Sequence, residues 1–544
     1  MKFLRYLAWP IALLPALAAF VWTSFASRLP ESEVARRALG EMSMRWHFGE
    51  ILSMQAEPAH LMARAVHIAA LQLPGSTFWW AAAANAVLAL LVVFALAAVA
   101  RRAFGLASGA QPFALALAGL LVCTPALGVD WLRGERVGLF LVPLLLLWAL
   151  WLLLGTGRFT GRALLALALA SLAPFCHTNG LLVFVALAPP LLAAARRAGS
   201  GRRMGWIVAL LLCGNLAAIG SMMSAGSLAL GETGLLGRLL AAPTDALLHL
   251  LRTTGSAWLD PLPATSQDEL GLGAFAWALP LLLWWVGDRS EAARQKAAPW
   301  WGCVWFGLSL FVIAAERHGT SLSAGTLREL TFGSFLLPVG CLGVLAARFG
   351  AGLVPVGAGV LLLLSAQDWH RGIEDLRLAR ASVEHEEMVA RLPVANGGKP
   401  LFATELLQAL YERGWMPRLE EPFVAALRSI PVAPAQPTAG GVLGGDAKSV
   451  RGIARSSLSR DNVACVVVTL AGSTAAGGGE QVLGLTLPNA AGHGRDVPWT
   501  VSFDKALAEG AELRVTGYRL RSGTFVSLGR LRVVHGSAEV ETGG

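Results

Sequence analysis

Hydrophobic residues are concentrated in the first two thirds of the chain, in runs separated by short polar segments. A helix needs about 20 apolar residues to cross the hydrocarbon core of a bilayer, and fewer where other helices surround it. On that rule the pattern predicts about eleven membrane-spanning helices. Their approximate positions are 4–25, 77–100, 112–128, 137–155, 163–176, 180–195, 205–222, 273–287, 300–315, 332–347 and 351–366.

The apolar runs stop after residue 366, and the pattern changes. The segment 368–391 is charged and helical in its spacing, 403–413 predicts a second short helix, and the Pro- and Gly-rich stretch 431–441 predicts a linker. Strand-like runs at 463–470, 481–487, 513–519 and 530–535 then alternate with Gly-rich turns. The sequence therefore predicts an α-helical polytopic membrane domain at 1–366. A soluble mixed α/β domain follows at 367–544 and ends in a β-rich module, a sandwich or a barrel.

Composition agrees with a bilayer as part of the solvent. Of 544 residues, 55% are hydrophobic and only 15% are charged, which is too little charge to cover a soluble particle of this size. The net charge of +9 comes from basic residues at the ends of apolar runs, a pattern that favours membrane lipid and not nucleic acid as the partner. The six cysteines form no CxxC metal motif and indicate no disulfide framework.

The basic residues also predict an orientation. Arginines and lysines fall at every second turn between the predicted helices, and such turns normally face the cytoplasm. If these turns face the cytoplasm, the N-terminus lies in the cytoplasm as well. An odd number of spans then places the C-terminal domain on the opposite side, in the periplasm of a bacterial inner membrane. We interpret the first run, preceded by Lys2 and Arg5, as an uncleaved span; a cleaved signal peptide is the alternative.

Three segments on the predicted outer side, at 26–76, 223–272 and 367–544, are long enough to do more than connect helices. The first two carry helical stripes of polar residues, which favour either helices that lie on the membrane surface or helices that line a site. The stripe residues are Glu33, Arg37 and Glu41; His60, Arg64 and His67; and Arg238, Asp245, His249 and Arg252.

Ionisable residues cluster where the predicted spans reach the outer side. They include Glu31, Glu33, Asp130, Arg133, Glu135, Arg136, His177, Glu316, Arg317, His318, Arg328 and Glu329. Arginine holds phosphate oxygens by paired hydrogen bonds, and a carboxylate can take a proton from an attacking hydroxyl or amine. This mixture suits sugar transfer from a phosphate-bearing lipid. The alternative is that these charges pair with each other and only end the helices at the interface.

Several motifs resemble the GT-C glycosyltransferases, a superfamily that includes protein mannosyltransferases and aminoarabinose transferases. The opening Pro30-Glu31-Ser32-Glu33, the later Glu57-Pro58 and the turn Leu73-Pro74-Gly75 are similar to the start of these enzymes. Further matches are Trp131-Leu132-Arg133-Gly134-Glu135-Arg136, the break His177-Thr178-Asn179-Gly180, and Arg328-Glu329-Leu330 before Phe335-Leu336-Leu337-Pro338. Together they cover residues 1 to about 366.

The resemblance implies roles for individual residues. Glu31 or Glu33 would be the catalytic base, and Arg133, Arg136 and Arg328 would contact the lipid-linked phosphate. Glu57, His60 and His177 are further candidates for substrate binding. The implied partners are a polyprenyl-phosphate-linked sugar and a cell-envelope glycan, lipid or protein acceptor.

A divalent cation is a further expectation from the residues themselves. Glu31, Glu33 and His177 offer oxygen and nitrogen ligands for Mg²⁺ or Mn²⁺ if they converge.

Two other functions remain open on the sequence. A polysaccharide polymerase or ligase would also use arginine-rich outer segments, but on a diphosphate-linked glycan. A non-catalytic membrane assembly subunit would need no chemistry at these positions. Transport is disfavoured, because the chain shows no internal repeat and its charges sit at the ends of spans and not at mid-membrane.

Overall fold

The computed structural model describes most helices and strands of the chain. The described residues are 2–24, 65–66, 69, 77–105, 111–125, 129–132, 137–154, 159–197, 206, 209–211, 213–214, 216, 239, 241–259, 266–287, 290–318, 332–350, 354–391, 408, 412, 439–457, 462–475, 479–488 and 496–540. The chain divides into two compact units. The described residues of 2–24 and 80–372 belong to a helical unit, and those of 373–540 belong to a sheet unit.

Helices occupy the apolar runs of the helical unit. They are α1 (Lys2–Thr23), α2 (Thr77–Phe104), α3 (Gln111–Val122), α4 (Val129–Leu132), α5 (Val137–Leu153), α6 (Phe159–Leu172), α7 (Leu182–Arg197), α8 (Pro243–Leu259), α9 (Ser266–Val286), α10 (Glu291–His318), α11 (Leu336–Phe349) and α12 (Val354–Arg391). Within the described residues, four helical stretches are long and apolar enough to cross a membrane: 82–104, 179–196, 267–286 and 291–316. The chain therefore fits a membrane protein, and the total of about eleven spans stays a prediction.

The helices differ in how much of their apolar surface they bury. Helix α5 is apolar on all sides and mostly buried, as expected for a helix enclosed by others. Helix α9, in contrast, leaves large apolar side chains exposed: Leu281, Trp284 and Trp285 are 62%, 71% and 80% exposed. An exposed apolar face of this size needs lipid or protein to cover it.

Arginines from neighbouring helices satisfy the C-terminal carbonyls of two helices. Arg102 donates to the carbonyl of Trp151 at 3.2 Å, and its guanidinium lies 4.4 Å from the centre of the Trp151 ring. Arg162 donates to the carbonyl of Leu152 at 3.4 Å, and Arg348 donates to that of Leu283 at 2.6 Å. The last carbonyls of a helix have no partner within the helix, so these basic residues act as caps at the ends of α5 and α9.

Helices α8 and α9 pack backbone against backbone. A Cβ on Gly255 of α8 would overlap the carbonyl oxygen of Glu269, and one on Gly273 of α9 would overlap that of Leu251. Only glycine permits this approach, which is typical of tightly packed membrane helices. Helix α8, which carries Asp245, His249 and Arg252 of the predicted polar stripe, therefore packs closely against another helix of the helical unit.

The described residues of the sheet unit form eight antiparallel strands. They are β1 (Gly440–Asp446), β2 (Ser449–Arg455), β3 (Val463–Ala475), β4 (Gly479–Thr486), β5 (Asp496–Ser502), β6 (Glu512–Arg519), β7 (Thr524–Val534) and β8 (Ser537–Val540). Their order is β4-β3-β6-β7-β8-β1-β2-β5. A Cβ on Gly484 of β4 would lie 2.6 Å from Val501 of β5, so the two edge strands meet and the sheet forms a barrel. The predicted β-rich module is confirmed.

Strand β3 is buried on both faces. Val466 and Val468 lie in the core inside the sheet, whereas Cys465 and Val467 contact Met388 and other residues on the opposite face. Because side chains alternate across a strand, one strand supplies two cores. The helical segment that ends at Arg391 thus packs on the outside of the sheet.

Two predicted boundaries need correction. The predicted linker at 431–441 ends earlier, because β1 begins at Gly440, where φ is +124° and a Cβ would overlap the carbonyl oxygen of Ile453. The predicted span at 351–366 and the charged helix at 368–391 form the single helix α12. Neither glycine nor proline interrupts the sequence between Leu361 and Arg371, so the helix continues although its composition changes.

Candidate functional site

Most of the predicted site residues lie outside the described part of the chain. These are Glu31, Glu33, Glu57, His60, Arg133, Arg136 and Arg328, and their roles stay predictions. The structure describes His177. It also describes Leu132, the last residue of α4 before Arg133, and Val137, the first residue of α5 after Arg136.

His177 lies in the turn between α6 and α7. Two short 3-10 segments, Ala173–Phe175 and Thr178–Leu181, form this turn, and His177 has extended backbone between them. Its Nδ1 accepts a hydrogen bond from the backbone N–H of Asn179 at 3.1 Å. A neutral imidazole that accepts at Nδ1 carries its hydrogen on Nε2. The predicted tight turn is confirmed, and its backbone fixes the tautomer of the histidine.

Gly180 allows the turn to close, and we expect alanine at this position to destabilise it. The new Cβ would overlap the carbonyl oxygen of Ala173, so the turn must shift. The expected cost is about 1–3 kcal/mol, measured as a lower Tm of the purified chain in detergent. Gly161→Ala in α6 is the control, because no atom lies within 4 Å of its Cβ position. Equal Tm values for the two variants would contradict the assignment.

An aromatic cluster joins the ends of several helices in the helical unit. Trp22 near the end of α1 lies 5.7 Å from Trp131 of α4, and Trp131 lies 5.2 Å from Phe140 of α5, measured between ring centres. Phe140 lies 4.6 Å from Phe332, just before α11, and Trp369 of α12 lies 5.3 Å from Trp22. These five rings, called here the aromatic cluster, hold together chain segments that are far apart in the sequence.

Hydrogen bonds orient two rings of the aromatic cluster. The indole N–H of Trp131 donates to the carbonyl of Thr124 at 2.7 Å, and that of Trp369 donates to the carbonyl of Leu120 at 2.8 Å. Buried indoles normally need such a partner. Both acceptors lie at or just beyond the end of α3, so this helix end is tied to the cluster as well.

A second polar site lies in the sheet unit. Arg377, Arg380, Glu384 and Glu387 of α12 are 5%, 3%, 2% and 0% exposed. Their spacing of three or four residues places them on one face of the helix. Buried charges must be paired, and these four form what we call the buried charge seam.

Arg380 of α12 and Asn462, just before β3, contact the two carboxylate oxygens of Glu384. Arg380 Nε lies 2.8 Å from Glu384 Oε1, and Asn462 Nδ2 donates to Glu384 Oε2 at 2.7 Å. Asn462 Oδ1 in turn accepts from the backbone N–H of Ser457 at 2.7 Å. Both carboxylate oxygens of Glu384 are therefore engaged.

Further contacts extend the seam along the helix. Arg377 donates to the hydroxyl of Ser456 and to Glu374, the latter at 2.7 Å. Arg521 of the sheet donates to Glu387 at 3.4 Å. The face of α12 that would be solvated on an isolated helix thus forms a polar interface with the sheet.

A cavity of about 20 Å³ adjoins the seam and is lined by Glu384, His385, Asn462 and neighbouring residues. Burial raises the pKa of Glu384, while the Arg380 charge and the hydrogen bonds from Arg380 and Asn462 oppose that shift. Burial lowers the pKa of His385, against a hydrogen bond with the backbone of Pro488. The cavity has room for about one water molecule. It is too small for a sugar ring.

Metal-binding groups are not found among the described residues, where no three His, Cys, Asp or Glu side chains are grouped to hold an ion. The predicted ligands Glu31 and Glu33 lie outside the described residues, so the cation site stays a prediction. Cys465 is fully buried in the sheet, and burial raises the pKa of its thiol to about 12. A thiol in that environment is structural and unreactive.

Comparisons with known proteins do not identify a family. No protein family model matches the chain, and no curated protein matches it. Among solved structures, it is similar to a crystal structure of an S-layer protein, with 13% identity over 56% of this chain and a TM-score of 0.12. The chain covers 46% of the length of that structure. A TM-score this low carries no argument about fold or function.

Proposed function

We propose that this protein is a membrane glycosyltransferase of the GT-C type. It transfers a sugar from a polyprenyl-phosphate donor to a cell-envelope acceptor on the periplasmic side of a bacterial inner membrane. Residues 1–366 form the catalytic membrane domain, and residues 367–544 form a periplasmic domain that helps to bind the acceptor. The N-terminus faces the cytoplasm in this arrangement.

The observation that carries the proposal is the aromatic cluster, because candidate residues lie within four positions of its members along the chain. Arg133 comes two residues after Trp131, Arg136 four residues before Phe140, and Arg328 four residues before Phe332. A chain of two residues spans at most about 7 Å, and one of four spans about 14 Å. Since Trp131, Phe140 and Phe332 contact one another in turn, chain length keeps Arg133, Arg136 and Arg328, from two distant parts of the sequence, within about 14 Å of a member of this cluster.

Three arginines that chain length keeps within about 14 Å of one cluster suit a lipid phosphate, which arginine holds by charge-assisted hydrogen bonds. Glu31 and Glu33 follow Trp22 of the same cluster by nine and eleven residues, within reach of that point. In the proposed reaction one of these carboxylates takes the proton from the acceptor hydroxyl or amine. The acceptor oxygen or nitrogen then bonds to the sugar, and the polyprenyl phosphate leaves. Glu57, His60 and His177 would contact the donor or the acceptor, and Mg²⁺ or Mn²⁺ would neutralise phosphate charge if bound.

The accumulated lipid in a strain that lacks the protein tests the choice of donor. We expect a monosaccharide on polyprenyl phosphate to accumulate, because its consumer is gone, and a plasmid copy of the gene should restore the normal level. Lipid extraction and mass spectrometry measure both. Accumulation of a diphosphate-linked oligosaccharide would instead favour a polymerase or ligase, and unchanged lipids would favour a non-catalytic subunit.

A further inference from the structure

The end of α2 meets α5 and α10 at one end of the helical unit. The ring of Phe104, the last residue of α2, stacks on Trp300 of α10 with 5.3 Å between ring centres. Arg102, in the last turn of α2, donates to the carbonyl of Trp151 near the end of α5 at 3.2 Å. Arg162, in the first turn of α6, donates to a carbonyl of the last turn of α5 at 3.4 Å. These contacts bring the ends of α2 and α5 and the start of α6 together beside α10.

Helices α9 and α11 end at the same place, where α10 begins. A Cβ on Gly340 of α11 would overlap Val304 of α10, and one on Gly343 would overlap the ring of Trp300. The residue numbers rise in α11 as they fall in α10, so the two helices are antiparallel and α11 ends where α10 begins. Arg348, in the last turn of α11, donates to a carbonyl in the last turn of α9 at 2.6 Å. One end of the helical unit thus collects the termini of six helices.

These helix termini are rich in basic residues. Within the last two turns of α2, α5, α9 and α11 and the first two turns of α6 and α10, the acidic residue is Glu291, which pairs with Arg294 at 3.1 Å. The basic residues of the same turns, called here the basic collar, are Arg101, Arg102, Arg162, Arg294, Lys296 and Arg348. Arg101 and Lys296 are exposed. A surface of this charge fits an anionic partner.

Tryptophans lie beside the basic collar. Trp284 and Trp285, in the last turn of α9, are largely exposed. Trp148 of α5 is partly exposed and lies 5.5 Å from the ring of Trp151, measured between ring centres. Exposed tryptophans in membrane proteins concentrate at the level of the lipid headgroups, where the ring is half in hydrocarbon and half in water. The neighbouring collar then lies at the depth of the lipid phosphates.

We propose that the basic collar binds the headgroups of anionic phospholipids, with the exposed tryptophans of α5 and α9 at the same depth in the bilayer. Arginine and lysine are attracted to an anionic membrane surface, and arginine also donates paired hydrogen bonds to phosphate oxygens. A zwitterionic lipid carries the same phosphate, but its headgroup cation offsets the attraction. The collar therefore selects anionic lipid. This inference concerns the lipids around the protein, and its test needs no sugar transfer.

The test measures which lipids stay bound to the full chain purified in detergent. The protein is mixed with equal amounts of phosphatidylglycerol, which is anionic, and phosphatidylcholine, which is zwitterionic, and the lipids bound after gel filtration are quantified by mass spectrometry. The collar variant is Arg101→Gln with Lys296→Gln, which leaves the arginines that cap helices in place. The control, Arg252→Gln with Arg530→Gln, removes two exposed charges elsewhere. Arg252 lies one turn after His249, which contacts the last turn of α10, and Arg530 lies on β7.

We expect the wild-type chain to retain at least about tenfold more phosphatidylglycerol than phosphatidylcholine at about 0.15 M salt. The collar variant should lower this ratio at least about fivefold, since one basic residue near an anionic surface changes binding by about that factor. The control should stay within about twofold of wild type. At about 1 M salt, where charges are screened beyond about 3 Å, the wild-type ratio should fall towards one.

A loss of folded protein does not imitate this result, because both lipids are measured on the same sample and only their ratio is used. Equal retention of the two lipids by the wild-type chain would overturn the proposal. A collar variant as selective as the control would overturn it as well, because the preference would then come from another part of the protein.

Discussion

Replacing Glu384 with alanine is expected to lower the free energy of unfolding of the sheet unit by about 3–5 kcal/mol. Arg380, which is 3% exposed, would become a buried cation without its partner at 2.8 Å, and the amide of Asn462 would lose its acceptor. Removing one partner of a buried pair costs far more than the pair itself contributes. Thermal unfolding of the full chain in detergent, with deuterium uptake at 373–391, measures the effect.

Two further variants separate the effect of the buried pair from that of an exposed ion pair. Asp496→Ala removes a carboxylate that is 55% exposed in its ion pair with Arg455, which is itself 50% exposed, and solvent screening limits that loss to about 1 kcal/mol. Replacing both Arg380 and Glu384 by apolar residues of similar volume should recover most of the loss, because neither charge of the pair remains. If Glu384→Ala is no more harmful than Asp496→Ala, the seam does not stabilise the contact between helix and sheet.

Exchange of the acidic pair for glutamine is expected to have the largest effect on activity. A positioned general base contributes about 100- to 10,000-fold to a rate, and glutamine keeps the size of glutamate without its basicity. Glu31→Gln or Glu33→Gln, and the double variant, should therefore lose transfer by about that factor at saturating donor. Initial rates in membranes with matched protein levels measure it.

The control for the acidic pair is Glu291→Gln. Glu291 is an exposed carboxylate at the start of α10, in an ion pair with Arg294 at 3.1 Å. Its loss should leave the rate within about twofold, since exposed pairs contribute little. Wild-type rates in both single variants and in the double variant would remove the proposed base.

The apolar pattern predicted the helices well where each run is long and bounded by polar residues. The runs at 77–100 and 137–155 appear as α2 and α5, and the strands predicted from 463 and 513 appear as β3 and β6. These elements bury one or both faces, so their local pattern agrees with the final fold. The end of the α12 span was not predictable in this way, because a change from apolar to charged residues does not by itself end a helix.

The glycines of β1 remove the alternating pattern by which a strand is predicted from sequence. The segment Gly440–Asp446 contains four glycines and no alternation of polar and apolar residues, so no strand is predicted there and its first two residues fall in the predicted linker at 431–441. Its strand state depends on close pairing with β2, as at Gly440 and Ala454, and on β8 along its other edge. Such pairing is a property of the assembled sheet and leaves no local signal.

The buried charge seam had a signal that sequence reasoning passed over. Arg377, Arg380, Glu384 and Glu387 share a helix face by spacing alone, and a charged face is usually exposed to solvent. Its burial follows from the sheet packed against it, including Asn462 and Arg521. The spacing of residues in the sequence shows which side chains share a helix face. It does not show which other parts of the chain pack against that face.

The residues of the proposed site differ in whether the structure describes them. The turn at His177 was predicted from the break after α6 and is confirmed, while Glu31, Arg133 and Arg328 stay predictions outside the described residues. The aromatic cluster was not predicted, because contacts between Trp22, Trp131 and other rings join distant parts of the chain. His249 was identified only as part of a polar stripe, and its contact with the carbonyl oxygen of Ala315, at 3.1 Å, was not predicted.

The central claim is that the protein itself transfers sugar from a polyprenyl phosphate. The most direct measurement uses purified wild-type chain in proteoliposomes, with a radiolabelled polyprenyl-phosphate sugar and a cell-envelope extract as the acceptor source. The account predicts time-dependent movement of label from the lipid to the acceptor, with release of polyprenyl phosphate in equal amount. Label that stays on the lipid at the level of protein-free liposomes, with every acceptor fraction tried, would contradict it.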